Sequence, residues 1–472
     1  MLEHFVRLVH HNHIRVRTRS WYLFHRYVKH LRAHVGNVAE TVIESISDLL
    51  PIKAEVPNEN STDDDMSSDE SDHSADAAFN GQLYLFEAIG CISSTSTTPV
   101  EKQVLFARTI MNPLFSEIER NLTPAKSGDA QAILQIHHVI MALGTLAQGF
   151  SDWKLGTAPS PHHGKEVSEE FGRAAEAILI ALESLKTSFD IRAAARASFS
   201  RLLGVLGISM LPLLPRWIDG LLSQSSSKDE MAVFLRLLDQ VVFGFKKDIY
   251  NVLDSLLTPL LQMVFAGLAE PVTGTDDEIQ LAELRREYLT FVQIILNNDL
   301  GSVLVSDYNQ GFFDALITSV TGLAKTVTNG TGNLAASRLA FSVITRMTDF
   351  WGGPNIATLS KQPISSTLPP SPSIPGFERF IIERFHPICW EVLREPQFRP
   401  AVDAQAKQVL NEIAGLEQAI YLKTGDMFLQ YLQSSFFPAM GVDGTEFIKS
   451  MTTSADRKGL AGYLQLFLRS KG

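Results

Sequence analysis

WYLFHRYVKHLRAHV, residues 21–35, decides the fold class. Its apolar members Trp21, Phe24, Val28, Leu31 and Val35 recur at steps of three and four. On a helix turning about 100° per residue they form one stripe. Arg19, Arg26 and His30 fall on the opposite side, with Lys29 beside them. A half-buried strand needs alternation at every second residue, which is absent. The stretch therefore predicts an amphipathic helix with an aromatic inner stripe and a basic outer face.

The same period recurs downstream. Ile191, Ala194, Ala195, Leu202 and Leu206 mark a helix that Asp190 can cap. Phe234, Leu237, Leu238, Val241 and Val242 mark another, and Val252, Leu256, Leu260 and Val264 the next. Thr275-Asp-Asp-Glu278 reads as a capping box ahead of Ile279, Leu284, Tyr288, Phe291 and Ile295. Val409, Ile413, Leu416 and Ile420 mark a late helix. Turn signals separate these segments, among them Leu211-Pro212, Ser225-Ser226-Ser227, Asn297-Asn298 and Gly352-Gly353-Pro354. Strand signals are nearly absent. The expected fold is all-α: a superhelical solenoid of antiparallel helix pairs, HEAT-like or armadillo-type, with repeats of roughly 40–47 residues and about ten pairs.

Two segments interrupt the rhythm. Residues 57–77 carry eight carboxylates and no Lys or Arg, which predicts a solvated loop. Residues 354–376 carry six prolines among many serines, which predicts an extended loop. The expected organisation is thus helices with a basic face over 1–56, the acidic loop, helical repeats over 78–353, the Pro/Ser-rich loop, and final repeats over 377–472.

The 472 residues carry a net charge of −11, so any site for a polyanion must be a local patch. Two distant cysteines, Cys91 and Cys389, cannot build a disulfide framework or a thiolate zinc site. No uninterrupted apolar run approaches the roughly 20 residues of a membrane span, so no membrane insertion is expected. The first 34 residues hold seven Arg or Lys, seven His and one acid. That composition raises a mitochondrial transit peptide, against which stands its direct continuation into a patterned helix.

Candidate chemistry is sparse. His10, His11 and His13, and His162-His163, lack accompanying ligands at metal spacing, and His137-His138 reads as helix packing. Thr328-Asn-Gly-Thr-Gly-Asn333 lacks the Lys-Ser/Thr and the strand of a phosphate loop. No catalytic constellation, metal or cofactor is expected. What remains is the single-sign face. Arg15, Arg17, Arg19, Arg26, Lys29 and Arg32 form a candidate phosphate-contacting cluster, and Lys246-Lys247 and Arg285-Arg286 are candidate extensions. The bland alternative for each is a solvated helix face. Lipid binding would need the apolar stripe free, whereas a solenoid buries it.

Several stretches resemble the exportin-T family, the tRNA exportins of the karyopherin-β superfamily. They are RTRSWYLFHRYVKHLR at 17–32, QLYLFEAIGCI at 82–92, LRREYLTFVQIIL at 284–296, RMTDFWGG at 346–353, VDAQAKQVLNEIA at 402–414 and FLQYLQSSFFPAMGV at 428–442. Their order and spacing run through almost the whole chain. The resemblance implies HEAT-like repeats and export of tRNA from nucleus to cytoplasm together with Ran-GTP, through nuclear pore proteins, without catalysis. Family members are about twice as long, and the resemblance is to their C-terminal half. It therefore implies a fragment without the repeats that supply the principal Ran surface. A protein–protein scaffold without RNA binding is the alternative. The acidic run has two readings, a solvating insertion or a competitor of RNA for the basic helix.

Overall fold

A computed structural model describes residues 2–56, 75–151, 153, 157, 164–222, 227–328, 330, 332–359, 373–453 and 457–471. The acidic run expected as a loop lies outside the described residues up to position 74, and its last residues open a helix. The Pro/Ser-rich segment is described only at its two ends. The chain divides into two compact units, Met1–Ser226 and Ser227–Gly472.

In the first unit the helices are α1 Leu2–Val9, α2 Ile14–His30, α3 Arg32–Val35, α4 Ala39–Ile46, α5 Ala75–Ser93, α6 Val100–Lys126, α7 Ala130–Phe150, α8 Lys165–Ser184, α9 Phe189–Leu206 and α10 Leu214–Leu221. One layer runs α2, α5, α7, α9, each packed on the next. A second runs α6, α8, α10, and the pairs α6/α7 and α8/α9 join the layers. Helices of the first layer approach to backbone contact. A Cβ on Gly90 of α5 would lie 2.5 Å from the Leu146 carbonyl, and one on Gly149 of α7 would lie 2.3 Å from the Glu87 carbonyl. Glycine is required there for space alone. Between α7 and α9, Gly144 faces Ser198, whose hydroxyl donates to the Ile140 carbonyl at 2.9 Å.

The second unit contains α11 Lys228–Phe245, α12 Tyr250–Ala269, α13 Thr275–Asn297, α14 Phe313–Ala324, α15 Asn333–Trp351, α16 Ile356–Leu359, α17 Phe377–Phe380, α18 His386–Arg394, α19 Ala404–Thr424, α20 Asp426–Tyr431, α21 Phe437–Met440, α22 Thr445–Thr453 and α23 Arg457–Lys471. Its continuous layer is α11, α13, α15, α19, α23. Within each unit this is the expected all-α stacking of helix pairs. Among the described residues the one strand-like pairing is an isolated bridge between Gly352 and Ser373.

Several local expectations are corrected. The layer helices begin at Ala75, Ala130 and Phe189 in one unit and at Lys228, Thr275, Asn333, Ala404 and Arg457 in the other, so the repeat step is longer and less regular than expected. The opening helix does not run to Val35: it stops at Leu31 (φ −102°, ψ 16°), and a short turn restarts at Arg32. Thr275 lies inside α13, behind Gly274. The Asp277 carboxylate instead accepts from the Thr273 backbone N–H and hydroxyl, at 3.1 and 2.7 Å. Ile279 is exposed, because five residues before Leu284 is about 140° around the helix. Ser188, not Asp190, caps α9. A reciprocal capping box does form at Ser227 and Glu230. In α12 the buried stripe is Leu253, Leu257, Leu260, Leu261 and Val264, one position from the expected start.

The membrane reading also changes. Ala130–Phe150, Phe189–Leu221 and Lys228–Ala269 are long and apolar enough, by length and composition, to cross a membrane. A mean hydropathy tolerates the polar residues that break an uninterrupted run. In the fold α7 is buried on most sides, between its layer neighbours α5 and α9 and its hairpin partner α6. The two longer stretches bend, at Gly207 and at Lys246.

Candidate nucleic-acid interface

Helix α2 is fixed from its inner side. Trp21, Phe24 and Val28 are buried, and the Trp21 indole N–H donates to the Val9 carbonyl at 2.9 Å, tying α2 to the end of α1. Gly81 of α5 lets the helices close: a Cβ there would lie 3.1 Å from the Trp21 ring. With the stripe anchored, the rotation of α2 is set, and Arg19 and Arg26 stand exposed.

Between them lies Tyr22. The Arg19 guanidinium sits 5.0 Å from its ring centroid and that of Arg26 5.9 Å. Arg26 Nη1 also donates to the Tyr22 hydroxyl at 3.3 Å. Tyr84 of α5 braces Tyr22 edge-on at 5.3 Å. One turn earlier, Arg17 lies 5.7 Å from the Trp21 ring. Among the described residues these three arginines meet aromatic faces rather than carboxylates. An aromatic face restrains a guanidinium while leaving its N–H donors free for an oxyanion. Tyr22 and Tyr84 escaped the sequence reading, although Tyr22 stands three residues after Arg19 and four before Arg26, the spacing of neighbours on one helix face.

The other candidates are differently placed. Lys29 Nζ donates to Glu87 Oε1 on α5 at 2.9 Å, and His25 Nε2 lies 3.1 Å from the same oxygen. Burial alone would raise the Glu87 carboxyl, but these two bases bring it down to about 2. Arg201 of α9 also feels Glu87. Burial pulls its guanidinium below the ordinary value, the carboxylate partly restores it, and Nη1 donates to Thr145 Oγ1 at 2.7 Å. Arg15 is half-buried. Arg32 Nη2 donates to the Ser94 carbonyl at 3.3 Å and to its hydroxyl at 2.6 Å, closing the end of α5. Arg346 closes α13 through the Leu296 carbonyl at 3.2 Å, and Lys423 reaches the Gly353 carbonyl beyond α15 at 2.6 Å. In each case a cation from another helix meets the negative end of a helix dipole.

In the second unit Arg285 is half-buried and donates to Asn333 Oδ1 at 3.1 Å, and burial lowers its pKa. Arg286 donates to Glu283 and Glu287 at 2.7 and 2.8 Å, in an ion-pair ladder shared with Arg236 of α11. Lys246 and Lys247 are exposed where α11 ends. Of the ten sequence-selected cations, Lys29, Arg32, Arg285 and Arg286 therefore hold protein partners. Arg17, Arg19 and Arg26 gather around two aromatic rings, Arg15 is half-buried on the same helix, and Lys246 and Lys247 belong to the second unit. Among the described residues no three His, Cys, Asp or Glu side chains are grouped to hold a metal.

The whole chain, residues 1–472, matches the family model described as Exportin-T. It is 70% identical over 474 residues to the Exportin-T of Botryotinia fuckeliana, covering 100% of this chain and 46% of that protein. It is 66% identical over 471 residues to the Exportin-T of Pyricularia oryzae, with the same coverage. The Exportin-T of Aspergillus oryzae is 55% identical over 468 residues, 99% of this chain and 45% of that protein. The chain spans about half the length of the curated relatives it matches. By a match that runs from its first residue to its last, the chain belongs to the Exportin-T family.

Proposed function

We propose that this chain binds tRNA through backbone phosphates on the exposed face of α2, as part of a receptor that carries tRNA from nucleus to cytoplasm. One observation supports this most: Arg17, Arg19 and Arg26 are restrained by aromatic rings, and among the described residues no acid neutralises them. Elsewhere arginines pair with glutamates, as Arg108 does with Glu170 and Arg216 with Glu176 and Glu183. Folded RNA presents A-form backbone and shape, so its recognition rests on positioned cations rather than on a compact motif. Family membership supports tRNA as the polyanion. It also supports Ran-GTP and nuclear pore proteins as partners of the assembled receptor, and a role in transport rather than catalysis.

The test is a titration of tRNA and of duplex DNA of equal charge against wild type and the Arg19→Ala/Arg26→Ala variant. The expected result is preference for tRNA, with affinity lowered about tenfold or more in the variant, as befits two lost phosphate contacts. Equal binding of both nucleic acids, or none, would favour a protein–protein scaffold.

A further inference from the structure

Three helices of this fold end on the same bend. Gly207 follows α9 with φ 52° and ψ −130°, and Gly425 follows α19 with φ 52° and ψ −127°. Lys246 follows α11 with φ 49° and ψ −120°. In each case the backbone N–H of the bend residue donates to the carbonyl four residues back, on Leu203, Tyr421 and Val242. A new helical turn begins at once. These angles are those of the first central residue of a type II′ turn, a position glycine dominates because an L side chain crowds its own backbone there.

Lack of room does not explain the two glycines. A Cβ on Gly207 would meet nothing within 4 Å, and one on Gly425 only the Ile356 Cγ2 at 3.9 Å. The fold's own choice at this bend is glycine, for the backbone alone, and Lys246 departs from it at a cost in strain. Packing does not repay that cost, because the side chain is exposed. Nor does the helix dipole require it, because the neighbouring Lys247 supplies a cation at the same helix end from an unstrained backbone. A residue held in a costly conformation with an exposed functional group points to a ligand for that group.

The surroundings say which kind. The bend borders an open cleft of about 460 Å³ between the ends of α11 and α13, lined by Lys246, Lys247 and Asp248 on one side and Asn297, Asn298 and Asp299 on the other. The Asp299 carboxylate leans toward Arg346, 4.0 Å away, and the Asn298 amide is occupied by the Ile294 carbonyl at 2.8 Å. The lining therefore offers two ammonium groups and the exposed Asn297 amide as donors, beside the carboxylates of Asp248 and of Asp299, the latter facing Arg346. A singly charged oxyanion with two accepting oxygens suits that set. We propose that Lys246, with Lys247, holds a backbone phosphate of the bound RNA in the cleft between the ends of α11 and α13. This rests on the reading of the chain as a tRNA binder and adds a contact in the second unit.

The experiment compares Lys246→Gly, Lys246→Ala and Lys246→Arg with wild type, by thermal unfolding and by tRNA titration at two salt concentrations. Lys246→Gly relieves the bend and is expected to melt about 2–4 °C higher. It should also bind tRNA several-fold more weakly, with a salt slope lower by about 1. Lys246→Ala should lose the same affinity without the thermal gain, and Lys246→Arg should retain affinity. A Lys246→Gly protein that melts higher with tRNA binding unchanged would overturn the proposal, as would one whose melting point does not rise. The Arg19→Ala/Arg26→Ala variant is run in parallel. If that variant loses tRNA and Lys246→Gly does not, only the second contact is wrong. If wild type binds no tRNA, the functional reading falls and takes this contact with it.

Discussion

Glu87 is 8% exposed and draws Lys29 and His25 onto one oxygen. Its carboxyl stands at about 2 in the folded chain against an ordinary 4.5, so the unfolded chain takes up a proton first as pH falls. The stability it contributes is complete above about 4.5 and is lost as pH drops toward 2. Denaturant unfolding from pH 6 to pH 3 should show this acid loss in wild type and a flatter profile in Glu87→Gln. Asp239 of α11 behaves in the opposite sense. Burial, with the Glu287 charge adding and Arg236 opposing, raises its carboxyl to about 8. The folded chain keeps that proton between about 4 and 8 while the unfolded chain releases it, so stability falls as pH rises through this window. Asp239→Asn should therefore unfold at higher denaturant than wild type at pH 8 and differ least near pH 4. A variant no more stable than wild type at pH 8 would mean that Asp239 is ionised in the fold.

Helix contacts separate glycines needed for space from glycines that merely weaken a helix. A Cβ on Gly149 would meet the Glu87 carbonyl and lie 2.7 Å from Gly90 Cα, so Gly149→Ala must push α5 from α7 and should cost about 1–3 kcal/mol. Gly172 in α8 has no atom within 4 Å of that position, and Gly172→Ala should stabilise by about 0.5–1 kcal/mol. Urea unfolding of the two single variants tests the pair, and equal effects would contradict the close α5/α7 crossing. The same local limits decide how much was readable in the sequence. The stripes of α9, α11 and α19 were legible because burial repeats with the helix period. Helix starts were less so: Thr275-Asp-Asp-Glu278 has the residues of a capping box but begins one position inside α13, whereas Ser227 and Glu230 form one in a stretch that reads as a turn. Which cations of α2 and α3 hold partners was illegible. Glu87 and Ser94 lie 58 and 62 residues from Lys29 of α2 and Arg32 of α3, so only the packing of these helices on α5 distinguishes those two from Arg19 and Arg26. Tyr22 was within reach of sequence reasoning, since its spacing from both arginines is local.

Across the whole chain the net charge of −11 opposes indiscriminate binding of nucleic acid, and attraction is confined to faces of one sign. Such binding should be strongly salt-dependent, because each neutralised phosphate releases counterions. The arginines on aromatic rings and the lysine held by Glu87 then make different predictions although all stand on α2. Lys29→Met should lower stability by about 1 kcal/mol, by leaving a buried carboxylate short of a partner, and change tRNA affinity little. The most direct measurement is the slope of log affinity for tRNA against log salt concentration, for wild type, Lys29→Met and Arg19→Ala/Arg26→Ala. The expected result is an unchanged slope for Lys29→Met and one shallower by about 1–2 for the double variant. A double variant with the wild-type slope would contradict the assignment of this face to RNA.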